Sequence, residues 1–481
     1  MKYRSTRGES PAVSAAPAIV EGLAPDGGLY LPEKLPRLSA RELAKLPTLG
    51  YRETAVLILR KYLDFSAPKL RRTVREAYAS FETAEPAVLV PVDESLTALE
   101  LWHGPSCAFK DMALQLLPRL LTASLRREGI RDRIHILTAT SGDTGKAALE
   151  GFRDVPGTEI TVFYPDEGVS EVQKAQMVRQ EGGNVRVTAV AGNFDDAQTA
   201  VKRIFSDREL GARLRREGVR LSSANSINWG RLLPQIVYYV YAAARISAEN
   251  GGRPVSFLVP TGNFGDILAG YLAKRMGAPV GRLVCASNQN RVLTDFFETG
   301  VYDRNRPFYK TGSPSMDILI SSNLERLLFL ASDGDAALVR RLMRELGETG
   351  RYEVPAELLA RLREDFAAAS ADEAETAAAI AALWRKGYLA DPHTAVGYAA
   401  LAAAPADGPL VLVSTASPFK FAGTVLRALD GGSADVPEGF DALDALAARC
   451  GRPVPPQLAR LKTLPVRFTE TLPPEELGGL F

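Results

Sequence analysis

Residues 255–266 read Val-Ser-Phe-Leu-Val-Pro-Thr-Gly-Asn-Phe-Gly-Asp. A β-branched and apolar run over 255–259 reaches a Pro-Thr-Gly turn, and the amphipathic stretch 265–276 follows it. Strand, glycine loop and helix in that order form the opening of a βα unit. The same alternation continues on both sides. Strand-like runs lie at 96–102, 134–140, 160–164, 185–190, 281–286 and 410–414, with helical patterns such as 170–180 between them. Strands alternating with helices predict an α/β protein built on mainly parallel sheets.

The first part of the chain is different. Residues 22–33 are rich in turn formers around Asp26-Gly27-Gly28, and Ser39 with Glu42 forms a capping box that starts a helix at Ala40. The expected organisation is a small N-terminal unit over 1–95, packed on two α/β domains. The smaller, 96–225, carries Lys110 and the loop Ser141–Thr144, and its first strand can equally belong to the larger domain. The larger, 226–481, contains a helical insert over about 316–404.

The chain has 481 residues, 46% hydrophobic and 24% charged, an ordinary globular composition with room for a sizeable core. Lys and Arg total 58 against 57 Asp and Glu, a formal net charge of +1. No global field favours nucleic acid or an acidic membrane surface, and neither is expected as a partner. Cys107, Cys285 and Cys450 are scattered and form no CxxC pair, which fits a reducing, cytoplasmic setting. No apolar run has spanning length, and the N-terminus lacks the apolar centre of a secretory signal. His103, His135 and His393 lack metal-ligand spacing, so no metal site is expected.

Ligands of open α/β sheets sit at the carboxyl ends of strands, and four loops there are unusual. His103-Gly104-Pro105-Ser106-Cys107-Ala108-Phe109-Lys110-Asp111 delivers one lysine to the head of a helix expected over 111–127. A helix dipole there disfavours the charged amine, which suits a nucleophile or Schiff-base former; a solvated surface lysine is the plain alternative. Thr138-Ala139-Thr140-Ser141-Gly142-Asp143-Thr144-Gly145-Lys146 offers backbone N–H groups to an anion. It is no P-loop: only Asp143 and Thr144 separate Gly142 from Gly145-Lys146, and Ala147 stands where a magnesium-holding hydroxyl is required. An ATP-dependent kinase is therefore disfavoured. Pro260-Thr261-Gly262-Asn263-Phe264-Gly265-Asp266 lacks the third glycine of a dinucleotide fingerprint and any basic residue, so a terminal phosphate held by amides is its natural ligand. Val413-Ser414-Thr415-Ala416-Ser417-Pro418 presents hydroxyls that can bond a ring nitrogen without protonating it, or can serve as a simple turn. Together, an activated lysine, a phosphate cradle, an anion loop and a hydroxyl match the needs of pyridoxal 5′-phosphate.

These residues resemble the threonine synthase family, pyridoxal-phosphate enzymes of the tryptophan-synthase-β-like fold (fold type II). The resemblance rests on Tyr3-Arg4-Ser5-Thr6-Arg7-Gly8, the run 22–33, His103-Gly104-Pro105, Ala108-Phe109-Lys110-Asp111 and Thr140–Gly145. It continues through Asn225-Ser226-Ile227-Asn228-Trp229-Gly230-Arg231, Gly262–Asp266, Pro314-Ser315-Met316-Asp317-Ile318, Ser322-Asn323 and Asp391-Pro392-His393-Thr394-Ala395-Val396-Gly397. It implies Lys110 as the Schiff-base and catalytic lysine. It further implies a cofactor site of Phe109, Asp143, Gly262, Asn263, Phe264, Gly265, Asp266 and Thr415, the last facing the pyridine nitrogen. One departure is Ser106-Cys107, where the family usually has threonine and then a small or apolar residue.

The activity so implied is conversion of O-phospho-L-homoserine and water to L-threonine and phosphate, by γ-elimination and β-addition of water. Candidate substrate ligands are Ser141, Thr144, Asn228 and Arg231, with Asn323 and Arg326 weaker; Asn228 and Arg231 can instead cap and brace the helix expected over 228–248. A monomer or homodimer is expected. Two alternatives stay open at this point: a phospho-lyase releasing 2-oxobutyrate from the same substrate, and a non-catalytic ligand-binding protein on the same fold.

Overall fold

The computed structural model describes all residues except 141, 168, 406–407 and 433–434. The chain opens with a three-stranded antiparallel sheet in which Lys2–Ser5 lies between Val13–Ser14 and Tyr30–Pro32. The Asp26 turn is closed by its own carboxylate, which accepts from Ser5 Oγ at 2.7 Å and from the Gly28 amide at 2.9 Å. Ser39 and Glu42 form the expected capping box on Ala40–Lys45. Helices Tyr51–Tyr62 and Ala67–Ala77 follow. This unit has no separate core. Tyr3 and Tyr62 pack on the fully buried Trp229 with ring centroids 5.6 and 5.4 Å away. Trp229 begins Trp229–Glu249, a long helix buried along most of its length.

Two sheets form the remainder. The larger has six strands in the order Phe366–Ser370, Val280–Ser287, Val255–Pro260, Leu410–Ser414, Leu96–Glu100 and Val88–Pro91. All its pairings are parallel except that of Val88–Pro91, an antiparallel edge. The smaller has five strands, all parallel, in the order Thr471–Leu472, Val185–Val190, Thr158–Pro165, Arg133–Ala139 and Val219–Ser222. No helix among the described residues is long and apolar enough to cross a membrane.

Leu96–Glu100 belongs to the larger sheet, paired with Leu410–Ser414, which is the option the sequence left open for the segment starting at 96. Two other readings of the larger segment differ from the structure. Thr471–Leu472 pairs with Ala189 and Val190, so the chain end returns to the smaller unit. The expected helical insert contains a parallel strand, Phe366–Ser370. Its sequence, Phe-Ala-Ala-Ala-Ser, reads as helix on propensity alone; pairing with Leu283–Ser287 overrides that preference. The helix expected over 111–127 is two helices, Asp111–Leu114 and Leu117–Arg127, divided where Pro118 takes a first-turn position.

Candidate active site

Lys110 lies between the two sheets because the loop before it is pinned to the next strand. The Leu101 amide donates to Ser414 O and the Phe109 amide to Thr415 O, and Ala108 bridges Ala416. Asp111 turns back to accept the Ser106 amide at 2.8 Å. Only glycine fits at 104, since a Cβ there would stand 2.6 Å from the Asp111 carboxylate. Cys107 takes a left-handed φ of 58° in this turn, and burial pushes its thiol up to about 12, so it is an inert thiol at neutral pH.

The Lys110 ammonium sits 4.9 Å from the Phe109 ring centroid and 3.5 Å from Ser315 Oγ. Burial brings its pKa down to about 8; the Asp143 and Asp266 charges oppose that fall, and those of Lys420 and Arg231 add to it. The cause differs from the sequence expectation. The helix following Lys110 has only four residues, too short for a substantial dipole, and desolvation is the main effect.

Asp143 opens the helix Asp143–Phe152 at the end of a smaller-sheet strand. Its Oδ1 lies 2.6 Å from Lys420 Nζ and 3.1 Å from Gln173 Nε2, while Oδ2 accepts from Ser315 Oγ at 3.4 Å. Burial alone would raise this carboxyl, but the Lys420 and Lys110 charges outweigh it and hold it well below the usual carboxylate range. The anion loop is narrower than its sequence suggests. Thr140 Oγ1 already accepts the amides of Gly142 and Gly145, both at 3.0 Å. Thr144 is partly exposed beside them, and Ser141 lies outside the described residues.

Ser315 is held from behind. His393 Nε2 accepts its amide at 3.1 Å, and Asp391 holds His393 Nδ1 at 2.6 Å. The surrounding loop is tied to the end of the larger sheet by Asn288 and Asn290, which both donate to Asp317, at 2.8 and 3.1 Å.

The glycine loop makes its turn at Phe264, which adopts a left-handed φ of 61° just ahead of Gly265–Arg275. First-turn amides of a helix have no intrahelical acceptor and so face an incoming anion. Gly262 allows a close approach: a Cβ would stand 3.0 Å from both Ser315 O and Ile318 Cδ1. The loop's carbonyls are fixed, that of Gly262 by Ser321 Oγ at 2.6 Å and that of Asn263 by Asn323 Nδ2 at 3.1 Å. Asp266 turns away, toward Tyr238 and Tyr239, whose hydroxyls lie 2.6 and 2.8 Å from Oδ1. Burial outweighs these two bonds and raises its carboxyl to about 6. That geometry removes Asp266 from the loop's anion-facing side.

The substrate-ligand candidates divide. Asn228 is committed to structure, its Oδ1 capping the Gly230 amide at 2.7 Å and its Nδ2 bonding Ile19 O at 3.0 Å. Arg326 is spent on Tyr30 O, Asn323 Oδ1 and Ile227 O. Arg231 bonds Ala224 O and keeps a buried Nε without a partner, and burial pushes its pKa down to about 10. At the hydroxyl loop, Ser414 Oγ is occupied by Trp102 Nε1 and Tyr388 OH, both at 3.0 Å. Thr415 is buried beside it, and Ser417 Oγ is buried without a partner.

Ser315, Lys420 and Gln173 carry polar contacts here that the sequence did not assign. The run Pro314–Ile318 carries no local pattern that marks Ser315 as a neighbour of Lys110. Lys420 follows the hydroxyl loop directly, in Pro418-Phe419-Lys420-Phe421; a lone lysine between aromatic residues after a strand end was the available signal.

A desolvated lysine, a glycine-loop helix N-terminus and unpartnered polar atoms at Ser417 and Arg231 fit pyridoxal phosphate. The model of pyridoxal-phosphate dependent enzymes matches residues 92–415, and this is a lyase of that class that takes pyridoxal 5′-phosphate. The threonine synthase N terminus matches over 2–78 and the threonine synthase C-terminal model over 394–476. A threonine synthase of Pseudomonas aeruginosa is 40% identical over 96% of this chain and 97% of its own. The structure of PLP-bound threonine synthase from Brucella melitensis superimposes with TM-score 0.90 at 41% identity, covering 100% of this chain and 98% of the other. Yeast threonine synthase gives 0.88 at 35% identity, covering 98% and 96%. The chain belongs to the threonine synthase family.

Proposed function

We propose that the chain converts O-phospho-L-homoserine and water to L-threonine and phosphate at the Lys110 cleft. The observation that carries this reading is the Lys110 amine, brought down to about 8 by burial and set between Ser315 and the two sheets' strand ends. When bound, pyridoxal phosphate supplies the electron sink that lets a carbon-bound proton leave. Lys110 Nζ anchors the cofactor and carries protons to and from the substrate carbons, and Ser315 Oγ orients that nitrogen. Phe109 flanks the amine. The amides of Gly262, Asn263, Phe264 and Gly265 take the cofactor phosphate, and the Thr415 hydroxyl meets the ring nitrogen. Asp143 lines the cofactor site beside Lys110 and accepts from Ser315 Oγ at 3.4 Å. Arg231, Thr144 and Ser141 take the anionic groups of the substrate, with Arg231 the strongest because its Nε is unspent. The free cysteines suit a cytoplasmic setting, and a monomer or homodimer completes the reading.

The test is a proton NMR time course of the holoenzyme with O-phospho-L-homoserine. Threonine appearing, and lost in Lys110→Ala, is the expected result. A 2-oxobutyrate signal in its place, or unchanged substrate, overturns the reading.

A further inference from the structure

Lys420 has a fully buried side chain, yet the function proposed above gives it no role. It leaves the larger sheet just beyond Ser414, crosses the cleft and meets Asp143 of the smaller unit at 2.6 Å. Its ammonium also donates to Ser106 O at 2.9 Å, the carbonyl that accepts from Gln176 Nε2 at 3.3 Å. Asp143 in turn touches Ser315 Oγ, the hydroxyl that Lys110 approaches. Two lysines therefore share one carboxylate neighbourhood, but only Lys420 is in ion-pair contact with it.

We propose that Lys420 is a positioning residue, which pins Asp143 across the cleft and neutralises it, so that Lys110 faces a compensated carboxylate. A free carboxylate beside Lys110 would favour its charged form, and a compensated one leaves the amine available. The other charged and titratable groups acting on Lys110 or Asp143 are Arg231, Asp266 and His393. None of these is in ion-pair contact with Asp143, whereas Lys420 is. The proposal rests on the cofactor reading of the site and on no particular substrate.

The test is the pH midpoint of the bound cofactor's visible absorbance in the holoenzyme without substrate. Lys420→Met is expected to raise the midpoint by about one pH unit, and Lys420→Arg to leave it within a few tenths. In an Asp143→Asn background, Lys420→Met should move it by less than half as much. An unmoved midpoint in Lys420→Met, or an equal shift in both backgrounds, overturns the proposal. Should Lys420→Met fail to fold, Lys420→Gln takes its place: a midpoint raised by about one pH unit supports the compensated carboxylate, and an unchanged midpoint overturns it. A holoenzyme that forms no cofactor band would instead overturn the cofactor reading of Lys110, so the two failures are distinguishable.

Discussion

The Nε2 atom of His393 lies 3.1 Å from the backbone nitrogen of Ser315. An amide only donates, so Nε2 accepts, and the ring proton sits on Nδ1, against the Asp391 carboxylate 2.6 Å away. The ring thus fixes the segment whose hydroxyl meets Lys110. His393→Leu removes the acceptor and leaves a part-buried amide unpaired, at about 1–3 kcal/mol. We expect kcat to fall about tenfold or more as Ser315 drifts, with cofactor retained. His393→Gln, which restores an acceptor, should recover part of the loss. Steady-state kinetics beside thermal unfolding decide the point: lost stability with unchanged kcat would leave His393 as a brace only.

The lowered pKa of Lys110 sets a pH dependence for cofactor uptake. Only the neutral amine is a nucleophile, and burial brings its pKa to about 8. In stopped-flow absorbance, the rate at which apo-protein captures pyridoxal phosphate should climb about tenfold per unit below pH 8 and level above it. A rate still climbing at pH 9.5 would mean that the lysine is not desolvated in solution.

Much of this site was legible because strand-end loops carry their chemistry in contiguous residues. Lys110, Gly262–Gly265 and Thr415 each follow a strand that the hydrophobic pattern marks. The His393–Ser315 bond spans 78 positions, and Lys420 meets Asp143 across the cleft between the sheets. No local pattern encodes such pairs. Asn228 was ambiguous for a related reason: one residue type serves both as cap and as ligand, and only the Ile19 carbonyl decides between them. The strand Phe366–Ser370 was hidden because three alanines favour helix until a parallel neighbour supplies their hydrogen bonds.

Asp266 predicts a stability effect with a definite sign. Burial holds its folded-state pKa at about 6, whereas an unfolded carboxyl releases its proton near pH 4. Between those values the folded state binds more protons, so stability falls as pH rises, by at most about 1.4 kcal/mol per unit. Asp266→Asn has no such proton and keeps an acceptor for Tyr238 and Tyr239. The variant's melting temperature relative to the parent's should rise between pH 4 and pH 6.5 and change little below. A gap constant over the whole range would show that Asp266 ionises normally.

Arg231 and Arg326 are both buried, but their bonding assigns them opposite consequences. Arg326 is held by three oxygens, two of them the main-chain carbonyls of Tyr30 and Ile227. Arg326→Met strands those carbonyls and should lower the melting temperature sharply, corresponding to about 3 kcal/mol or more, with KM nearly unchanged in the fraction that folds. Arg231 bonds a single carbonyl, that of Ala224, and keeps Nε free. Arg231→Met removes one bond to one carbonyl, where Arg326→Met removes three, so the stability loss is the smaller of the two. Its KM for O-phospho-L-homoserine should rise about tenfold or more, because a charge-assisted bond to an anion contributes about 1.5–3 kcal/mol. Arg231→Lys keeps the charge but not the fork, and should lie between the parent and Arg231→Met. Kinetics and melting curves on the same preparations separate the roles, and equal KM increases in the two Met variants would remove Arg231 from substrate binding.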